Sequence, residues 1–234
     1  MDKVSVIIPS YNRFLYLIHA VQSIKNQDYP NIEIIVINDG STQPEYYNHN
    51  WAGIRIIHLI ENSKKKFGYP CVGYVRNQGI KESNGKYIAF CDDDDYWLPG
   101  KITKQLNLMN KFNCYFSCTE GLIGKGKYNK LINYKKYNQE YYLKKINKKY
   151  KHINLLKDGF PMIWDKKFIN IHNCIICSSV IIDKKILNNA GNMPYKRRGQ
   201  DYLCWLKCLK YSNVIFIHQP YVYYDLNHGS GSNH

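Results

Sequence analysis

The sequence predicts an α/β fold with a mainly parallel central sheet and helices on both faces, and three observations carry that expectation. Near-continuous apolar runs recur in the first hundred residues: Val4 to Ile8, Ile32 to Ile37, Ile54 to Ile60 and Tyr87 to Cys91. Runs without polar alternation mark strands buried on both sides, as a parallel sheet requires. Between the first two, Phe14, Leu15, Leu17, Ile18, Val21 and Ile24 repeat at helical spacing, so helix alternates with strand. Acidic residues then fall where two of the strands stop, Asp39 after the second and Asp92-Asp93-Asp94-Asp95 after the fourth. Open parallel sheets bind ligands at the carboxyl ends of their strands, so both acidic sites are expected on one crevice.

Taken in order, the first strand is closed by Pro9, and Asn12 is the expected N-cap of the helix that follows. The second strand ends in the turn Asn38-Asp39-Gly40-Ser41. Pro99 to Phe112 reads as a helix with Ile102, Leu106 and Met109 on one face. From Gly124 to Lys151 the composition changes, and lysines (Lys125, Lys127, Lys130, Lys135 among them) interleave with Tyr128, Tyr134, Tyr137, Tyr141, Tyr142 and Tyr150. That stretch reads as an insertion or mobile flap outside the core. A strand over Ile175 to Ile182, a short helix ending near Gly191, a helix over Asp201 to Tyr211 and a strand over Val214 to His218 complete the pattern. With no internal repeat and no linker, residues 1–234 read as one domain.

Length and charge narrow the function. A chain of 234 residues supports one sizeable core. No stretch approaches the roughly 20 apolar residues that span a bilayer, and Met1-Asp2-Lys3 leads straight into a strand, so a cytoplasmic protein is expected. Its net charge of +15 leaves room for peripheral contact with an anionic membrane surface. Eight cysteines without a secretory signal are expected to be reduced. The spacings Cys174/Cys177 and Cys204/Cys208 suggest zinc, but both pairs sit in apolar runs where cysteine acts as a small hydrophobe.

The four consecutive carboxylates need a cation. Lysines of this basic chain can supply one; a divalent metal is the better-shaped partner, since Mg²⁺ and Mn²⁺ take oxygen ligands and are often held by one or two carboxylates plus substrate phosphates. Taken alone, the cluster also reads as a solvated acidic turn.

Five motifs in order resemble the family 2 glycosyltransferases of the GT-A fold, a Rossmann-like α/β sandwich. They are Val4-Ser5-Val6-Ile7-Ile8-Pro9-Ser10-Tyr11-Asn12-Arg13, Val36-Ile37-Asn38-Asp39-Gly40-Ser41, Arg76-Asn77 with the stretch Gly85 to Pro99, Gly199-Gln200-Asp201-Tyr202, and Tyr223-Tyr224-Asp225-Leu226-Asn227-His228. The resemblance implies an inverting enzyme that moves a sugar from a UDP-sugar to a hydroxyl of a glycan, protein or lipid acceptor. It implies a nucleotide-sugar half over residues 1–100 and an acceptor half over 101–234 that contains the insertion. It places the nucleotide on Pro9, Ser10, Tyr11, Arg13, Asp39, Arg76, Asn77, Asp92 and Asp93, with Asp39 reading uracil. Mn²⁺ or Mg²⁺ falls to Asp94 and His228, and the general base to Asp201. By its residues alone Asp201 is also an ordinary helix-start aspartate, and Asp39-Gly40 an ordinary turn.

Three departures stand out. Gln200 replaces the family's usual glutamate, Asp225 replaces an arginine that would contact phosphate, and Asp93 stands where a small residue is usual. Two other readings compete: a nucleic-acid or polyanion binder on a degenerate scaffold, drawn from the Lys/Tyr stretch, and a transferase using a GDP- or dTDP-sugar. Coding bias toward Lys, Asn, Ile and Tyr accounts for much of that stretch, so nucleic acid is the less favoured partner.

Overall fold

In the computed structural model, which describes residues 1–153 and 156–227, the first half alternates as the apolar pattern demands. β1 (Val4–Ser10), α1 (Phe14–Lys25), β2 (Ile32–Asn38), the one-turn α2 (Glu45–Asn48), β3 (Arg55–His58), α3 (Ser63–Phe67), α4 (Val72–Glu82) and β4 (Tyr87–Phe90) follow in turn. β1 lies parallel between β2 and β4, and β3 lies parallel on the far side of β2. Ile7, Ile35, Ile37 and Phe90 face one core with Val75 and Ile80 of α4, while Val6, Ile8, Val36 and Ala89 face another with Leu17, Val21 and Ile24 of α1. Burial on both faces is the physical reason these strands lack polar alternation. Gly79 lets α4 close on the sheet, because a Cβ there would sit 2.5 Å from Cγ2 of Ile7.

The second half contains β5 (Tyr96–Trp97), α5 (Lys101–Lys111), β6 (Phe116–Gly124), β7 (Lys135–Lys136), a π-helical segment (Tyr137–Tyr142), α6 (Leu143–Lys149), β8 (Ile163–Trp164) and α7 (Lys166–Ile171). A 3₁₀ turn (Cys177–Ser179), β9 (Ile181–Asp183), α8 (Lys184–Asn189), α9 (Gln200–Cys208) and β10 (Val214–Asp225) complete it. Strands run in the order β3-β2-β1-β4-β9-β6-β10-β5, with β7 added to β6 and β8 to β10. β9 is antiparallel to both β4 and β6, and β6 is parallel to β10. The carboxyl ends of β1, β2, β4, β6 and β10 therefore share one edge of the sheet.

Three expectations change. Asn12 is not the N-cap: α1 starts at Phe14, with Arg13 at the cap position and no side-chain bond there. Asn12 instead takes a left-handed conformation (φ 51°), which asparagine tolerates. Its Oδ1 accepts the Thr42 N–H at 2.7 Å, which pins the β1–α1 turn to the β2–α2 loop. Ile175 to Ile182 is not one strand. Ser179 Oγ donates to the Ile176 carbonyl at 2.7 Å, a local bond that competes with ladder pairing and turns the chain before β9. Finally, the Lys/Tyr stretch is docked rather than loose in its second half, where Asn138 and Ile146 are buried. The buried Glu120 carboxylate of β6 accepts the N–H groups of Asn138 at 2.7 Å and Gln139 at 2.9 Å, clamping the π-helical segment to the sheet.

Candidate active site

The acidic cluster closes the carboxyl end of β4, and its four side chains have four different environments. Asp92 pairs with Arg76, a guanidinium buried on α4. Asp93 accepts from Ser10 Oγ at 2.6 Å and from Arg13 Nη1 at 3.2 Å. The same Arg13 nitrogen donates to Asp94 Oδ2 at 2.9 Å. Asp95 turns inward, accepting the Ser178 hydroxyl and, at 3.0 Å, the Asp225 N–H. Much of the cation required by four adjacent acids is thus arginine, supplied from α4 and from the residue preceding α1.

That compensation is incomplete. Burial and the charges of Asp93 and Asp92 hold the Asp94 carboxyl well above the usual carboxylate range, against the pull of Arg13. Burial also raises Asp93, although Arg13 and the Ser10 hydroxyl pull it back. Crowded oxygen donors with unbalanced negative charge suit a hard divalent cation. Among the described residues no three carboxylate, imidazole or thiol groups converge to hold one unaided, so substrate phosphates would have to complete its shell. His228 lies outside the described residues. The zinc spacings have no metal geometry either: Cys204 and Cys208 are buried with their sulfurs 3.9 Å apart, and the cysteines are free thiols.

Asp39 sits at the end of β2. Its carboxylate accepts the Ser63 N–H at 2.7 Å and hydroxyl at 2.6 Å. Burial raises its pKa, and the Ser63 bonds only partly offset that rise. Asp201 is in the first turn of α9, where the helix dipole favours a carboxylate. Burial nevertheless pushes its pKa above the ordinary value, with Arg76 drawing it back. Arg76 therefore acts electrostatically on Asp92 and Asp201 together.

These groups line one cleft of about 370 Å³ at the carboxyl edge of the sheet. Pro9, Ser10, Tyr11, Arg13, Asp39, Arg76, Asp92, Asp93, Asp94 and Asp201 all border it. Asn77 does not. Its amide donates to the Met193 carbonyl at 2.8 Å and accepts the Met193 N–H at 3.1 Å, tying α4 to the loop after α8. Asp225, in place of a phosphate-binding arginine, accepts the Gly126 and Asn227 N–H groups at 2.9 Å each.

Two parts of the wall escaped sequence reasoning. Tyr137, Tyr142 and Tyr224 form an aromatic side, with the Tyr137 ring 4.7 Å from Tyr142 and 5.7 Å from Tyr224. Only the π-helical segment's docking on Glu120 brings the first two there, and nothing local in the sequence announces it. Arg197 and Arg198 also border the cleft. Their position immediately before Gly199-Gln200-Asp201 was a usable signal.

Residues 5–187 match the family described as "Glycosyl transferase family 2". The chain belongs to that family. A putative teichuronic acid biosynthesis glycosyltransferase of Bacillus subtilis, TuaG, is 30% identical over 223 residues, covering 88% of this chain and 72% of the relative. A UDP-Glc:α-D-GlcNAc-diphosphoundecaprenol β-1,3-glucosyltransferase of Escherichia coli, WfgD, is 28% identical over 94% of this chain and 74% of its own length. An uncharacterized glycosyltransferase of Rickettsia bellii is 43% identical over 133 residues, which are 56% of this chain and 19% of the relative. Among solved structures, Staphylococcus aureus TarS 1–349 in complex with UDP-GlcNAc superposes with a TM-score of 0.70 at 18% identity, over 98% of this chain and 60% of that 1–349 chain. The fold of this glycosyltransferase is therefore GT-A, a mixed α/β sheet whose long ladders are parallel. Among the described residues no helix is long and apolar enough to cross a membrane.

Proposed function

We propose that this family 2 glycosyltransferase is an inverting, metal-dependent enzyme that moves a sugar from a UDP-sugar to a hydroxyl of a lipid-linked glycan. The observation that carries the reading is the meeting of Asp39, Asp92 to Asp94 and Asp201 on one cleft, from three separate parts of the chain. Asp39 offers its remaining acceptor capacity to the imide N–H of uracil, held still by Ser63. Ser10 and Tyr11 border the same end. Asp94, with Asp92 beside it, would hold Mn²⁺ or Mg²⁺, which when bound supplies charge stabilisation to the leaving diphosphate.

Asp201 removes the proton from the acceptor hydroxyl as its oxygen bonds to the anomeric carbon. The bond from that carbon to the diphosphate breaks on the opposite face, and the nucleoside diphosphate leaves with the electron pair. A base with a raised pKa holds the proton better at neutral pH, which suits Asp201 to the role. Tyr137, Tyr142 and Tyr224 give the acceptor sugar an aromatic wall to lie against. The WfgD relative, named for a GlcNAc-diphosphoundecaprenol acceptor and a UDP-Glc donor, supports a lipid-linked acceptor, and the TarS complex, alike in fold alone, is compatible with a UDP donor.

Nucleotide release from UDP-, GDP- and dTDP-sugars, with Mn²⁺, Mg²⁺ or EDTA, tests the reading without a known acceptor. Metal-dependent release of UDP from one donor, abolished in Asp94→Ala, is the expected result. Release that ignores EDTA, or that needs GDP- or dTDP-sugars, would overturn the metal or the donor assignment respectively.

A further inference from the structure

The loop between β6 and β7, residues 125–134, is held firmly at its base and bare at its tip. At the base, Tyr223 donates its hydroxyl to the Gly126 carbonyl at 2.8 Å, and Asp225 accepts the Gly126 N–H. Tyr128 stacks on Tyr96 with centroids 4.8 Å apart, and Tyr134 meets Tyr223 edge-on at the same distance. The tip turns on Asn129, whose Oδ1 accepts the Leu131 N–H at 3.0 Å and whose carbonyl accepts the Ile132 N–H at 3.1 Å. Leu131 is 85% exposed and Ile132 53% exposed. A braced turn that presents two adjacent aliphatic side chains to water is a wedge looking for an apolar medium.

The charge around the wedge narrows that medium. Lys125, Lys127, Lys130 and Lys135 are exposed on the same loop and its exit, and no acidic residue lies between Glu120 and Glu140. The loop leaves β6 at its carboxyl end, the sheet edge on which the cleft opens, and Asp225 both anchors the loop and borders the cleft. Aliphatic tips framed by lysines match the headgroup boundary of an anionic bilayer, where the chains enter the interface and the cations meet phosphate.

We propose that this loop docks the protein on an anionic membrane, with Leu131 and Ile132 inserted and the flanking lysines on lipid headgroups. Docking there sets the cleft beside the bilayer, and so extends the reading of a lipid-linked acceptor by naming the surface that meets the lipid. The binding itself needs no sugar transfer, so the two readings fail separately.

Flotation with phosphatidylglycerol/phosphatidylcholine vesicles, beside pure phosphatidylcholine vesicles, tests it on the full chain. The wild type floats with the anionic vesicles and loses binding as salt rises. Leu131→Ser/Ile132→Ser lowers the partition coefficient at least tenfold. Lys125→Gln/Lys130→Gln/Lys135→Gln lowers it roughly a hundredfold, about fivefold per lysine. Lys111→Gln/Lys207→Gln/Lys210→Gln removes as many exposed charges from the helix ends that precede β6 and β10, at the opposite edge of the sheet, and changes it less than threefold. Equal loss in the two lysine triples, or wild-type binding by the serine double variant, overturns the proposal. So does a wild type with no preference for anionic vesicles. A concentration-dependent dimer broken by the serine pair, without vesicle binding, would assign the tip to a second copy of the chain instead.

Discussion

Lys101 makes the sharpest prediction about how the site is supported. It opens α5 in full burial, and its Nζ has no hydrogen-bond partner. The ammonium lies 4.0 Å from the centroid of the Trp97 ring, and Trp97 Nε1 donates to the Ser178 carbonyl at 2.9 Å, directly behind the acidic cluster. Burial lowers the Lys101 pKa to about 7, with nearby Cys91 and Cys118 opposing the fall. In the unfolded chain the group titrates near 10.4. Between those values the unfolded state binds more protons than the folded one, so stability rises with pH from about 7 to about 10 and is lost as pH falls back through that window.

Each pH unit well inside the window is worth about 1.4 kcal/mol. Lys101→Met keeps the stem and removes the charge, so the variant lacks this dependence. Urea unfolding at pH 7, 8 and 9 should show the variant ahead at pH 7 and the gap narrowing by about 2 to 3 kcal/mol by pH 9. Subtracting the two profiles cancels every other group that titrates in both proteins. Parallel profiles would refute the reasoning, and would mean that the Trp97 face or an internal water solvates the ammonium well enough to keep its pKa normal.

Three further outcomes follow from the geometry. Asp201→Asn should cut transfer by about 10² to 10⁴ while UDP affinity by calorimetry stays within a few-fold, since on the proposed reading that carboxylate takes the acceptor's proton. Ser178→Ala removes the hydroxyl that donates to Asp95 and accepts the Asp92 N–H at 2.9 Å; urea unfolding should report a loss of about 1 to 3 kcal/mol, with weaker donor binding. Glu120→Gln weakens the clamp on the π-helical segment, and should raise the acceptor KM more than the donor KM while protease nicking appears within residues 137–149.

The first half of the fold was legible because its information is local. Strands buried on both faces need unbroken apolar runs, and β1, β2 and β4 show them, so the edge carrying Asp39 and Asp92 to Asp94 could be placed from the sequence. Where a long-range bond decides, the sequence was silent. Glu120 and Asn138 are 18 residues apart, and only their buried hydrogen bond turns a Lys/Tyr stretch of loop-like composition into the wall that carries Tyr137 and Tyr142. Asn12 shows the same limit: its oxygen prefers the N–H of Thr42, thirty residues away, to the helix beside it. The expected strand over Ile175 to Ile182 failed for a different reason, since Ser178 and Ser179 spend their hydroxyls on Asp95 and the Ile176 carbonyl rather than leaving a plain ladder.

The net charge of +15 invites a polyanion partner, but the positions of the charges decide against reading the cleft that way. The lysines that dominate the count between 124 and 151 are mostly exposed, and none of them borders the cleft. At its floor Arg13 and Arg76 are engaged by Asp92, Asp93 and Asp94. A nucleic-acid backbone entering there would meet carboxylates already crowded enough to raise Asp94 well above its ordinary pKa. A diphosphate reaches such a surface with cations between, which Arg197 and Arg198 at the border of the cleft supply in part and which, on the proposed reading, Mn²⁺ or Mg²⁺ would complete. The exposed lysines, by contrast, can act where they stand, on an anionic surface outside the cleft. On the proposed readings, separating acids within the cleft from lysines outside it would let the chain take a nucleotide sugar through a metal while its surface meets anionic lipid.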